Sequence, residues 1–240
     1  MGLMDNAKTW VINWLDLDNQ TPRTKELKKL EEYYDGKHDP QLKVKYNRFD
    51  DNLSVNLCGL IADKSVSALV GDPSEGHGLS WTFPSELDGV KDKPIEWLDT
   101  VWDQNNKEIL LHKNALSGSK FGYPAFKIVP DGEGNYRLIN IKTKLLTVET
   151  NPQDEDEVIK YIITYKVVEN DKKTLYREIT LPSGAGWSIE TRKQEGRKQW
   201  ELVSPPVFWE YDFPPILAWQ NLPNNESPYG RSDIENRSEY

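Results

Sequence analysis

Three histidines, one cysteine and one dense run of carboxylates are the residues through which this chain could do chemistry. His38, His77 and His112 stand far apart in unlike surroundings. "GDPSEGHG" sets Glu75 and His77 two residues apart in a Gly-rich loop, short of the ligand set that zinc takes, so the stretch reads as a solvated turn. Asp154, Glu155, Asp156 and Glu157 in "NPQDEDEV" could gather around a cation. The run lacks the internal glycine and closing glutamate of a calcium loop, and it reads as a hairpin tip. "DGEGN" lies between strand-like runs rather than before a helix, so it is a turn and no phosphate cradle. Cys58 sits inside an apolar helical stretch, where a thiol is inert packing. No P-loop, no G-x-S-x-G elbow and no H-E-x-x-H occurs. The expectation is therefore no catalytic residue, no metal ligand, no cofactor and no enzyme.

The totals narrow the field further. The chain has 240 residues, a formal net charge of -9 and one cysteine, so no internal disulfide forms and a reducing cytoplasm is expected. No apolar run approaches the length of a membrane span. "MGLMDNAKTW" has neither the basic flank nor the apolar core of a signal peptide, and Asn6 stands where a myristoylation site prefers Ser or Thr. An acidic chain is a poor sequence-reading DNA binder, because phosphate neutralisation supplies most of that affinity. It does not exclude a surface past which DNA must slide without sticking. The basic clusters "RTKELKK", "KVKYNR", "KTK" and "RKQEGRK" are each balanced by nearby acids and read as solvated faces. Nine tryptophans point to core and interface packing.

The elements that must position these residues follow from periodicity. Trp10, Trp14 and Leu17 predict a helix over 5–17, and Leu27, Leu30 and Tyr34 a second over about 24–34, stopped by Gly36 and Pro40. "NLSVNLCGLIADKSVSALVGDP" is the clearest helix. Its expected inward stripe is Leu53, Leu57, Leu60, Ile61, Ala68 and Leu69, capped by Asp51 or Asn52 and stopped by Gly71 and Pro73. "LSWTFP" reads as a strand, "PIEWLDTVWDQN" as a helix with Ile95, Leu98, Val101 and Trp102 inward, and 106–117 as a helix ending at Gly118. Short β-branched and aromatic runs separated by turns then fill residues 121–205. Helices first and strands later predict an α+β fold, with N-terminal helices followed by a mostly antiparallel β region. Near the end, "NLPNNESPYGRSDIEN" is a loop leading to a helix start, with Ser232 as N-cap and Glu235 at capping-box spacing.

The order of these blocks carries a resemblance. "KLEEYYDGKHD", "NLSVNLCGLIADKSVSALVGDP", "NKEILLHKNALSGSKFGYPAFKIVPDGEGNYRLINI" and "FPPILAWQNLPNNESPYGRSDIEN" together resemble, in order over about residues 29–236, portal proteins of long-tailed bacteriophages of Gram-positive hosts. The positions carrying the match are Tyr33, Tyr34, Gly36, Gly71, Pro73, Asn221, Ser232, Asp233 and Glu235. The resemblance implies residues 1–46 as an N-terminal helical segment and 47–230 as a wing-like α+β domain. Residues 231–240 would begin a stem-proximal helix whose continuation is expected beyond this chain, leaving DNA-facing residues unknown.

The resemblance further implies a closed ring of about twelve copies at one capsid vertex of the virion, assembled in the host bacterial cytoplasm. Double-stranded DNA would pass through it without sequence readout. Terminase, a major capsid or scaffolding protein and a head-tail connector protein would be its partners, and no membrane. Trp10, Trp14, Trp187 and Trp200, with Tyr33 and Tyr34, are candidates for the contact between subunits. Two other readings fit the residues: a small phage head or adaptor module without a ring, and a metal-dependent nuclease using Glu75, His77 or the 154–157 acids.

Overall fold

The structure, a computed structural model, describes residues 21–37, 55–71, 92–132, 134–169, 172–196, 198–224 and 227–235. The expected helix at 5–17 with Trp10 and Trp14, the "LSWTFP" strand, Asp51, Asn52, Pro73, Glu75, His38 and His77 lie outside these residues.

Helix α1 spans Pro22–Tyr34. Thr21 and Thr24 close a reciprocal capping box, the Thr21 hydroxyl accepting from the Thr24 amide at 3.1 Å and the Thr24 hydroxyl from the Thr21 amide at 2.9 Å. Leu27, Leu30 and Tyr33 are buried along one side. Tyr33, not Tyr34, completes that stripe; Tyr34 lies at its edge, where its hydroxyl reaches Asp63.

Helix α2 spans Leu57–Val70 and corrects the expected packing. Its N-cap is Asn56, whose side-chain oxygen accepts from the Gly59 amide at 2.9 Å, so the helix begins beyond the expected caps Asp51 and Asn52. The buried face is Cys58, Gly59, Ala62 and Val66. Leu57, Leu60, Ala68 and Leu69 face out, and Ile61 is half-buried. Small residues face inward because α2 lies close against its neighbours. A side chain begun at Gly59 would come within 2.9 Å of the Tyr34 carbonyl oxygen and 2.7 Å of Asn56 Nδ2.

Helices α3 (Asp92–Gln104) and α4 (Lys107–Phe121) follow. Val101 is buried and Ile95, Leu98 and Trp102 half-buried, so the expected stripe of α3 does face inward. Gly118 does not end α4. It lies within the helix against Pro124, and Gly122 in the left-handed region (φ 81°) is the terminator. Asn105 ties α3 to the sheet, donating to the Val101 and Tyr136 carbonyls at 2.7 and 2.8 Å and accepting from the Leu138 amide at 2.7 Å.

Among the described residues nine strands complete an α+β fold: β1 Ala125–Pro130, β2 Tyr136–Ile141, β3 Leu146–Asn151, β4 Asp154–Glu169, β5 Lys172–Ser183, β6 Gly186–Glu195, β7 Glu201–Leu202, β8 Val207–Trp209 and β9 Ile216–Ala218. A three-stranded sheet runs β2-β1-β9 and a six-stranded one β3-β4-β5-β6-β7, with β8 also on β6; every pairing is antiparallel. The acids at 154–157 open β4 rather than forming the hairpin tip, which is the turn before them. One face of the small sheet gives Ala125, Ile141 and Ile216 to a core shared with Leu146, Val148, Tyr161, Ile163, Trp187 and Trp209 of the large one. The other face meets the helices, where Asn114 Nδ2 donates to Asn140 Oδ1 at 3.2 Å.

Helix-interior glycine ordinarily loses about 1 kcal/mol against alanine. At position 59 the sign reverses, since the new methyl meets backbone. Gly59→Ala is expected to destabilise by about 1–3 kcal/mol in urea unfolding, whereas the exposed Ser65→Ala should stabilise slightly.

Candidate functional site

Three distant segments meet where α4 ends. The Asn221 amide donates to the Gly122 carbonyl at 2.8 Å, and the Arg231 amide donates to the Asn221 carbonyl at 2.8 Å. The side-chain amide of Asn221 donates to the Arg231 carbonyl at 3.0 Å and to Asp233 Oδ1 at 2.9 Å. Asp233 Oδ2 accepts from the Ser119 hydroxyl at 2.6 Å. The Ser119 carbonyl in turn accepts from the Ser232 hydroxyl at 2.8 Å and the Asp233 amide at 2.9 Å. Two glycines permit the approach: a Cβ on Gly122 would lie 2.9 Å from the Arg231 carbonyl carbon, and one on Gly230 2.4 Å from the Asn221 oxygen.

Beyond this joint, Ser232 behaves as the expected cap. Its Oγ accepts from the Ile234 amide at 3.2 Å, and Glu235 reaches back to the Ser232 amide at 3.3 Å. Ile234 is fully buried in an apolar cluster with Leu27, Leu30, Tyr33, Cys58 and Ala62. The entrance to the next segment is thus bolted to α1, α2 and α4 by directional bonds and by one buried side chain.

Two further motif positions, Tyr34 and Gly36, contribute to a second joint between α1 and α2. Asn56 Nδ2 donates to the Tyr34 carbonyl at 2.7 Å, Gly36 (φ 79°) packs against the Asn56 side chain, and the Tyr34 hydroxyl donates to Asp63 at 2.8 Å. Gly71 caps the far end of α2, its amide bonded to the Ser67 carbonyl at 3.0 Å. Burial, then the Asp63 hydrogen bond, push the Tyr34 phenol up to about 12. Lys120, whose amine lies 3.8 Å from the Tyr34 ring centroid, is shifted down by burial.

A third stitch was not visible in the sequence. Arg23 donates to the Leu146 carbonyl at 2.7 Å and lies 3.3 Å over the Tyr229 ring. Burial lowers the Arg23 pKa. The Tyr229 hydroxyl accepts from the Val148 amide at 3.0 Å and donates to its carbonyl at 3.2 Å. Only the turn formers around Tyr229 signalled a loop; nothing local announced its contacts on a strand 81 residues away.

The tryptophan candidates divide. Trp187 is buried beside Tyr161 and donates to the Asp212 carbonyl at 3.3 Å, which removes it as a contact between subunits. Trp200 is half-buried under Arg177, at 4.4 Å. Tyr33 belongs to the core.

A cleft of about 1000 Å³ carries Lys127, Lys142, Lys144 and Lys166, but Lys127 is paired with Glu178 at 2.5 Å and Lys144 with Glu31. Among the described residues no group of three His, Cys, Asp or Glu could hold a metal. Polar groups here are used to hold elements to one another, which is the chemistry of a structural scaffold.

A family model, phage portal protein, SPP1 Gp6-like, matches residues 16–181 of the 240. The match covers more than half of the chain, which therefore belongs to the phage portal protein family. A comparison with curated proteins found no match. The joint at 221–235 lies outside the matched span.

Asn221→Asp keeps the side-chain shape but turns a carboxylate toward Asp233. Unfolding free energy is expected to fall by about 2 kcal/mol at about pH 7, with part of the loss recovered at about pH 4 where the pair shares a proton. Asn221→Ala, carrying no charge, should show no such recovery. The Tyr34 phenol gives a second prediction. Its folded pKa lies above the ordinary 10.0, so its contribution to stability is complete below about pH 10 and lost as pH rises through about 12. Tyr34→Phe should flatten the alkaline fall in melting temperature; Tyr123 and Tyr161, raised by burial, keep some slope.

Proposed function

We propose that this chain is a subunit of the portal ring at the single capsid vertex through which the phage genome is packaged and ejected. The observation that carries the reading is the family match over residues 16–181. In this reading about twelve copies close head to tail, and two unlike surfaces of one subunit meet. Double-stranded DNA passes through the ring, while terminase, capsid or scaffolding protein and head-tail connector dock on it. The ring assembles in the host cytoplasm and remains in the virion.

The net charge of -9 supports a conduit, because a polyanion slides past an acidic wall and sticks to a basic one. Among the described residues no helix is long and apolar enough to cross a membrane. Residues 47–230 serve as the wing-like body and 1–46 as an N-terminal helical segment. Residues 231–240 begin the stem-proximal helix in this reading, which the Asn221–Asp233–Ser119 joint holding residues 231–233 supports.

Native mass spectrometry of the purified chain, with negative-stain images of the same sample, tests the ring. A closed species of about a dozen protomers is expected. A monomer at all concentrations up to that of a crowded assembly would overturn the reading and leave the ring-free head module in its place.

A further inference from the structure

Among the described residues, two of the exposed apolar surfaces differ in chemistry. The first is the outer face of α2. Leu57 and Leu60 are 56% and 52% exposed, Ala68 lies on the same side, and Lys64, exposed, falls among them at helical spacing. A helix that turns leucines outward and cysteine, glycine, alanine and valine inward is the reverse of a helix that serves only its own core.

The second surface is an aromatic array running from α3 across β2 to the loop after β8. Trp97 packs edge-on against Tyr136 at 5.9 Å, the Tyr136 and Tyr211 hydroxyls are 3.3 Å apart, and Tyr211 stacks on Phe213 at 5.5 Å. Trp97, Tyr211 and Phe213 remain 45%, 40% and 42% exposed. Glu210 and Asp212 alternate with these rings and are exposed.

We infer that these two surfaces are the two halves of one head-to-tail contact, the α2 face of each subunit seating on the aromatic array of the next copy. This rests on the ring reading above and names the surfaces that close it. A cyclic ring needs two unlike, mutually complementary patches on each subunit, whereas a two-fold dimer needs one that matches itself. The patches are unlike in shape: flexible aliphatic side chains on a convex helix against flat rings. They are complementary in charge, with Lys64 among the leucines and Glu210 and Asp212 among the aromatics. Contiguous apolar surface rimmed by charge is also what soluble chains keep for association.

The test is cross-linking of the whole chain with a short bismaleimide. In a Cys58→Ala background, Leu60→Cys and Trp97→Cys are combined, and a second pair joins Leu57→Cys with Tyr211→Cys to guard against one local distortion. Each paired variant is expected to give a ladder of dimers, trimers and higher species on denaturing gels, and each single-cysteine variant monomer alone. A dimer from a single-cysteine variant would show a two-fold contact and overturn the inference. So would a faster-migrating monomer from the pairs, since it means that the two faces meet within one chain. A ring seen by native mass spectrometry without any ladder overturns this assignment but leaves the ring intact; absence of both ring and ladder overturns the ring reading as well.

Discussion

The position of the last described segment depends on one crossing, where the Asn221 backbone is held between the Gly122 carbonyl and the Arg231 amide. At that point the end of α4, the exit from β9 and the approach to residue 232 lie at backbone contact, with no room for a Cβ at Gly122 or Gly230. Buried backbone groups must be paired, and an unpaired one costs about 1–3 kcal/mol, so the crossing admits little adjustment. Asn221 reinforces it by giving both amide hydrogens to the same segment. Once Asp233 is fixed by Ser119 and Asn221, Ile234 has one place to go, the cluster under α1 and α2.

The same logic ties α1 to elements distant in sequence. Its apolar side reaches α2 and Ile234, while Arg23 at its start reaches Leu146 and the Tyr229 ring. Arg23 is half-buried; the Leu146 carbonyl receives Nη1 and the Tyr229 ring the guanidinium plane, while Nη2 is buried without a hydrogen-bond partner. Tyr229 then passes the constraint to Val148 through two backbone bonds. Helical layer, large sheet and terminal joint are thereby one mechanical unit.

Much of this was legible in the sequence, for local reasons. The inward stripe of α3, the capping box at Ser232 and Glu235, and the alternation of strands from β1 to β6 depend on neighbours within a few residues. The inward face of α2 is not legible in the sequence, because periodicity finds the larger aliphatic residues and cannot see that a close helix–helix contact prefers small ones. Gly118 and Gly122 read alike as helix terminators; the left-handed one is Gly122, where a side chain would also crowd the Arg231 backbone. Whether Trp187 serves the core or a subunit contact is not decided until its strand is paired with β8 and Trp209. Motif residues such as Asn221, Asp233 and Tyr34 announced themselves by type and spacing, but their partners lie across the fold.

A division of labour follows between the two kinds of contact. Inside the subunit the joints are hydrogen bonds, which fix angles because they weaken steeply when bent. The outward α2 face and the aromatic array are apolar, and apolar contact is proportional to area and nearly indifferent to direction. If the outer faces seat on neighbouring copies as inferred above, those contacts tolerate a range of angles while the hydrogen-bonded joints keep the geometry within the subunit. Strain applied to such a chain would be absorbed first at the apolar faces. The joint around Asn221, held by directional hydrogen bonds and close backbone packing, would yield last.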